Sequence, residues 1–244
     1  MNLKRILRRT SFALTHPKFT FRRLRVGAIG ASTIELSEIK SHSGEVFSIL
    51  EAGAANGEDT DRMLKKFPFV TIYAFEPVER SYLRLLDKFS HESRVQVFRF
   101  ALSAVSGSTT LYVSSDKNSS SGQGSSSILL PTQHLKDFTS ISFSEDDREL
   151  VETVILDEWA KARNIESFDL VWFDLQGMEK LVIESSPKVL GNSKFIHIEV
   201  SRKPLFAGGC SYQEINEILN SMGFVKRIER VGLVSGNVLY ERMV

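Results

Sequence analysis

Residues 46–77 read VFSILEAGAANGEDTDRMLKKFPFVTIYAFEP, and their order decides the fold. Val46, Phe47, Ile49 and Leu50 form the short apolar run that a strand buried on both faces requires. Gly53 and Gly57 interrupt it, and glycine is the residue that lets a backbone turn sharply and come close to a ligand. Met63, Leu64 and Phe67 then fall at helical spacing, and residues 70–75 are a second apolar run. Strand, glycine turn, helix and strand make a βαβ unit, which predicts an α/β fold with a parallel sheet and right-handed crossovers.

The same alternation extends outward. Pro77 is expected as the first residue of a helix, with Val78, Tyr82, Leu85, Leu86 and Phe89 as its buried stripe. Residues 95–100 read as a third strand and residues 109–113 as an extra one. After residue 150 the pattern resumes, with a strand at 152–155 and a short helix at 157–163. An apolar strand at 170–173 ends in Asp174, and the next helix, begun by Met178, Leu181 and Val182, ends near Pro187. Residues 195–200 form another strand. Ser211 and Glu214 are spaced as a capping box, Ile215, Ile218, Leu219 and Met222 make the buried helical face, and Gly223 closes it. Strands near 224–230 and 238–242 are expected to pair as an antiparallel edge.

Composition excludes several classes. The chain has 244 residues, 42% of them hydrophobic and 25% charged, ordinary values for a globular protein. The single cysteine, Cys210, excludes a disulfide framework and a cysteine-based zinc site. No apolar run reaches the ~18 residues of a membrane span, and no secretory signal is visible. The charge is uneven. Residues 1–25 hold Lys4, Arg5, Arg8, Arg9, Lys18, Arg22, Arg23 and Arg25 and no acid, so the rest of the chain is net acidic. We read residues 1–25 as a basic arm and residues 26–244 as a single domain. Leu3, Ile6, Leu7 and Leu14 share a helical face. The arm is either a solvated extension or a segment that rests on anionic lipid or an anionic glycolipid substrate. The acidic body argues against nucleic acid. The expected location is the cytoplasm, with the arm at the inner face of a membrane. Residues 114–127, SSDKNSSSGQGSSS, are a surface loop or a mobile lid.

Ligands of open α/β sheets bind at the carboxyl ends of the strands, so the residues there are the candidates. Glu51 stands two residues before Gly53 and suits a ligand with a positive amine. The loop lacks the GxGxxG of a dinucleotide site and the Gly-Lys-Ser/Thr of a phosphate loop. Asp59 or Thr60 can cap the following helix. Glu76 ends the second strand, about 20 residues past the glycines, where an acid binds a ribose diol. A helix-start carboxylate beside the macrodipole is the alternative. Leu102 and Ser103 follow the third strand, either as the wall of an adenine site or as a plain strand exit. Asp174 and Gln176 at a buried strand end are costly unless they bind something. His197 and Glu199 alternate onto one face of their strand, where His197 is either functional or a core histidine. No motif has metal-ligand spacing, and no metal is expected.

Taken together, EAGAANGEDT (51–60), AFEP (74–77), FDLQGME (173–179) and IHIEVS (196–201) resemble the FkbM-type S-adenosylmethionine-dependent methyltransferases, over roughly residues 45–228. One departure is visible: many members read Gly-Ala-Asn-x-Gly where this chain has Gly53-Ala54-Ala55-Asn56-Gly57. The resemblance implies a Rossmann-like seven-stranded sheet, mostly parallel with one antiparallel strand, flanked by helices. It also implies S-adenosyl-L-methionine as cofactor. Glu51, Gly53 and Gly57 would cradle the methionine part, Glu76 the ribose and Leu102 and Ser103 the adenine, with Asp174 and Gln176 near the methyl group. Ala54, Thr60 and Pro77 are counted with these cofactor positions. If the acceptor is a hydroxyl, a base is needed within hydrogen-bond reach. Asp174 is the first candidate and His197, whose ordinary pKa is near neutral, the second, with Glu199 orienting His197 or binding substrate. The expected acceptor is a sugar hydroxyl of a glycan or secondary metabolite. A peptide amide or amine, or a non-catalytic binding role, are the alternatives.

Deleting residues 1–25 is expected to leave cofactor binding intact and to weaken binding to anionic vesicles in a sedimentation assay. Unchanged vesicle binding would remove the membrane reading of the arm.

Overall fold

The computed structural model describes residues 33–116 and 124–243, so the basic arm and the centre of the serine-rich stretch lie outside the described residues. Elements are numbered here from the first described one. The first half runs α1 (Leu36–Ser43), β1 (Ser48–Ala52), α2 (Glu58–Lys66), β2 (Thr71–Phe75), α3 (Glu79–Lys88) and β3 (Val95–Phe98). A middle section follows with β4 (Ala101–Leu102), β5 (Gly107–Asp116), α4 (His134–Asp137) and β6 (Ile141–Val154). The last part is α5 (Leu156–Lys161), β7 (Leu170–Phe173), α6 (Glu179–Ser185), α7 (Pro187–Asn192), β8 (Phe195–Ser201), α8 (Tyr212–Ser221), β9 (Phe224–Val231) and β10 (Ser235–Arg242).

Seven strands form the main sheet in the order β3-β2-β1-β7-β8-β10-β9. The first five are parallel, and β10 runs antiparallel to both its neighbours. The sheet is the mostly parallel seven-stranded one that the resemblance implies. Strand order reverses between β1 and β7, and the crevice above that reversal is where open α/β sheets take ligands. A three-stranded sheet, β4-β6-β5, stands beside it.

Side-chain alternation on the central strands feeds two cores. Ile49 and Trp172 face a cluster with Met63 and Leu64 of α2 and Leu85 of α3. Leu50, Val171 and Ile196 face the other cluster, with Trp159 of α5, Val182 of α6 and Leu219 of α8. Trp159 meets Tyr73, Phe75 and Phe98 edge-on at 5.9, 4.8 and 5.0 Å. Such contacts each add about 0.5–1.5 kcal/mol beyond area burial. The capping box forms: Ser211 accepts from the Glu214 amide, and Glu214 accepts from the Ser211 amide. Caps of this kind are worth about 1 kcal/mol.

Several boundaries differ from the sequence expectation. The first strand pairs from Ser48 to Ala52, two residues later than its apolar run, because Val46 is buried ahead of the ladder and Phe47 points out. Pro77 precedes its helix, which starts at Glu79, and Leu86 of the expected stripe is exposed. Pro187 begins α7 instead of ending α6, since proline fits a first helical turn whose amide has no partner to lose. The strand expected at 152–155 is the end of the long β6. The closing hairpin is not wholly an edge either: β10 inserts beside β8 and leaves β9 outermost.

Candidate active site

The ends of β1 and β7 meet at Gly53. Its φ is +93°, and a Cβ there would lie 2.2 Å from the carbonyl oxygen of Asp174. Only glycine allows this approach. The Gly53 and Ala54 amides both donate to the Phe75 carbonyl, at 3.0 and 3.1 Å, which ties the loop to the end of β2. Gly57 has φ +69°, caps α2, and leaves no room for a Cβ against Leu85 and Phe89.

Two cavities open over these strand ends. The narrower is a slot of about 60 Å³ with Gly53, Glu76, Pro77 and Leu102 in its wall, backed by Phe100, Ile128 and Met178. The wider measures about 410 Å³ and is lined by Asn56, Glu199, His134, Phe138, Phe206 and Cys210, among others. Ala55, Gly124, Asp174 and Gln176 belong to both, so they form the partition between them. Ala55 and Gln176 are two of the three described non-glycine residues with positive φ, at 47° and 51°. Backbone strain of this kind costs about 1–3 kcal/mol and persists where surrounding structure enforces it. At Gln176 it aims the side-chain amide between two acids. Its Nε2 donates to Asp174 Oδ1 at 2.5 Å and to Glu199 Oε2 at 3.1 Å.

The site is acidic and short of cations. The Glu76 carboxylate accepts the Ala55 and Val78 amides at 2.7 and 2.9 Å. Burial nevertheless pushes its pKa up to about 7. Glu179 accepts the Leu175 and Gly177 amides at 2.9 and 3.0 Å, and burial pushes it too up to about 7. Glu51 accepts the Thr60 hydroxyl at 2.7 Å and is pushed by burial up to about 8. Asp174 and Glu199 are raised as well, chiefly by desolvation, and Glu199 is raised further by the Asp174 charge beside it. Among the described residues, no Lys or Arg lines either cavity.

The structure gathers Gly53, Glu76, Pro77, Leu102, Asp174, Gln176 and Glu199 around the two cavities. It does not bring the others there. Glu51 and Thr60 pair beneath the glycine loop, and Ala54 and Gly57 pack under it. Ser103 donates its amide to Val154 and lines neither cavity. His197 also lies outside both cavities. It stacks on Trp172 with ring centroids 3.6 Å apart, is buried, and has no hydrogen-bond partner at either ring nitrogen among the described residues. Burial holds its pKa down near 3. Parity put His197 and Glu199 on one face, but Glu199 stands one pleat nearer the strand end, at the cavity, and His197 is left in the core. Sequence reasoning missed Ala55, Glu179 and the aromatic residues of the wider cavity. The aromatics come from irregular segments without periodicity. Glu179 was legible in principle as the last acid of DLQGME.

The residue types of the slot, though not its volume of about 60 Å³, suit an adenosyl ligand: a close-approach glycine, a buried carboxylate at the end of β2, and apolar walls between them. A seven-stranded sheet of this order with such a slot defines an S-adenosylmethionine-dependent methyltransferase. The chain belongs to the methyltransferase FkbM domain family, whose model matches residues 51–226. It is 32% identical over 192 residues to 2-O-methyltransferase NoeI of Sinorhizobium fredii (strain NBRC 101917 / NGR234), covering 78% of this chain and 77% of that protein. Among solved structures it is similar to the fibrillarin pre-rRNA processing protein of Methanococcus jannaschii, with a TM-score of 0.48, 13% identity, and coverage of 88% of this chain and 73% of that one. It is also similar to 1,6-didemethyltoxoflavin-N1-methyltransferase of Burkholderia thailandensis, with a TM-score of 0.45, 13% identity, and coverage of 99% and 89%. No described helix is long and apolar enough to cross a membrane.

Replacing His197 by Phe should preserve the stack on Trp172 and leave cofactor affinity and turnover unchanged. Stability should hold or rise by about 1 kcal/mol, since two unsatisfied buried nitrogens are removed. A tenfold loss of turnover in that variant would return His197 to the site. The raised carboxyls also set a pH dependence. Glu51, Glu76 and Glu179 bind protons more tightly folded than unfolded. The contribution of these three groups to the stability of the ligand-free protein therefore falls as pH rises from the unfolded value of 4.5 to about 7–8. It runs against an opposing rise below 6.5 from His134 and His197, whose pKa values burial lowers. The slope is on the order of 1.4 kcal/mol per pH unit for each titrating group. Urea midpoints at pH 5.5 and 7.5 measure it, and a higher midpoint at pH 7.5 would contradict the assignment.

Proposed function

We propose that the chain methylates a hydroxyl of an uncharged sugar, on a glycan or a secondary metabolite. The observation that carries this reading is the pair of unlike walls in the wider cavity. Asp174, Gln176 and Glu199 make a polar wall of acceptors and one amide. Opposite in character are His134, Phe138 and Phe206, whose rings lie together with centroids 4.8 and 5.1 Å from that of His134. A sugar ring has hydroxyls at its rim and C–H groups on its face, and these two surfaces match the two walls. A volume of about 410 Å³ is in the range of roughly 300–1,000 Å³ that holds small ligands. Phosphate or carboxylate acceptors call for Arg or Lys, which these walls lack among the described residues. The relative named as a 2-O-methyltransferase supports oxygen as the acceptor atom.

S-adenosylmethionine, when bound, supplies an activated methyl group on a good leaving group. The chain's own part is to bind, align and move a proton. The Gly53 backbone, Glu76 and Leu102 would hold the cofactor in the slot. Phe206 and its neighbours would orient the acceptor, and alignment of this kind lowers a barrier by reducing lost entropy. Asp174, at the partition, is the base for the hydroxyl proton, backed by Glu199.

Turnover of labelled cofactor against panels of sugars, glycosides and amines tests the reading. Transfer to sugar hydroxyls is expected, and transfer to amines alone would overturn it. Asp174→Asn should lower kcat by about 10²–10⁴-fold. Phe138→Ala, at the partly buried ring of that wall, should raise the sugar KM about tenfold, from a loss of roughly 1.5 kcal/mol of apolar contact, with kcat little changed.

A further inference from the structure

Asp174 follows β7 and Glu199 lies near the end of β8, and their carboxyl groups converge on one donor, the Gln176 Nε2, at 2.5 and 3.1 Å. The Gln176 amide clamps both from the strained turn. Two carboxyls in contact repel strongly when both are ionised, so a buried pair of this kind holds one proton. Its surroundings reinforce that. Among the described residues, Glu179 of α6, Glu76 at the end of β2 and Asp59 in the first turn of α2 are the charged groups that face it, all of them acids. His134 and Cys210 line the same cavity, and burial keeps both neutral, lowering the first and raising the second. No base or guanidinium on either cavity wall compensates the pair among the described residues.

The site nevertheless has to accept a cation. The family's cofactor is a sulfonium, and its demethylated product is the same molecule with one positive charge fewer. The group transferred between slot and cavity passes their shared partition, and Asp174 is part of that partition. A positive charge seated there stabilises the ionised pair and drives off its proton.

We propose that the Asp174–Glu199 pair is a charge-gated base. It keeps one shared proton while no cationic ligand is present, and it releases that proton to solvent when the charged cofactor is seated. Its last step rests on the hydroxyl-acceptor reading above. There the pair takes the acceptor's proton as the O–H bond breaks, the new O–C bond forms, and the S–C electron pair stays on sulfur. Loss of the sulfonium charge and gain of the proton coincide, so the pair ends the turnover as it began. Exchange of product for fresh cofactor then expels the proton. The pair is thus a base only when there is a methyl group to transfer.

The test is titration calorimetry at one pH near neutrality, in two buffers of different ionisation enthalpy. S-adenosylmethionine and S-adenosylhomocysteine are the two ligands, with no acceptor present. For wild type, the buffer dependence with S-adenosylmethionine should exceed that with S-adenosylhomocysteine by about one proton released per site. Glu199→Gln and Asp174→Asn, each checked for folding by circular dichroism, should abolish the difference. Equal proton counts for the two ligands in wild type overturn the proposal, as does a difference that survives in a folded variant. Binding of neither ligand overturns it together with the cofactor assignment. Because no acceptor enters, failure of the sugar reading would leave the proton count unaffected and be seen only in the turnover panel.

Discussion

The contact between Gly53 and the carbonyl of Asp174 is the constraint on which the site depends. It sets the ends of two neighbouring parallel strands against each other with no side chain between them. Everything with chemical consequence follows from that closeness. The β1 turn presents Glu76 with the Ala55 amide, and the β7 turn presents Asp174 and Gln176. The partition between the two cavities is made from these same few residues. A bulkier residue at 53 would separate the strand ends and widen that partition, which is why a single missing Cβ governs both cavities.

Acid concentration is the second organising fact. Glu51, Glu76, Asp174, Glu179 and Glu199 are packed under and around the cavities, and their partners are amides and hydroxyls, not cations. Hydrogen bonds from backbone amides ease such burial but do not cancel its desolvation cost. The ligand-free fold therefore carries electrostatic strain at this place. Strained φ angles at Ala55 and Gln176 sit at the same place. Stability and function are opposed there, as is common where a site must be held ready.

The fold was legible because parallel strands announce themselves as apolar runs and the glycines between them mark the turns. The residues at the strand ends were legible for the same reason: Glu76, Asp174 and Gln176 are polar where burial should forbid it. What sequence could not show was depth. His197 and Glu199 have the same parity, and only the sheet register, with His197 opposite Trp172, separates core from cavity. The aromatic wall was illegible because His134, Phe138 and Phe206 come from a four-residue helix and a loop, where no period relates position to burial. Pro187 was misplaced because one proline can stop a helix or start the next.

The aromatic wall also has its own fastening. Thr132 and His134 donate their amides to the Leu205 carbonyl, and Ala207 donates to Leu130, so two loops are sewn together outside the main sheet. Neither loop contributes a ladder bond to β1, β2 or β7. On the proposed reading, acceptor recognition is a detachable face-plate bolted over a fixed engine block. Exchanging the stitched loops as a pair between family members would carry the preference for one acceptor into a new host while the glycine turn and its acids stay as they are. Exchanging one loop alone would cut the stitches and lose the wall.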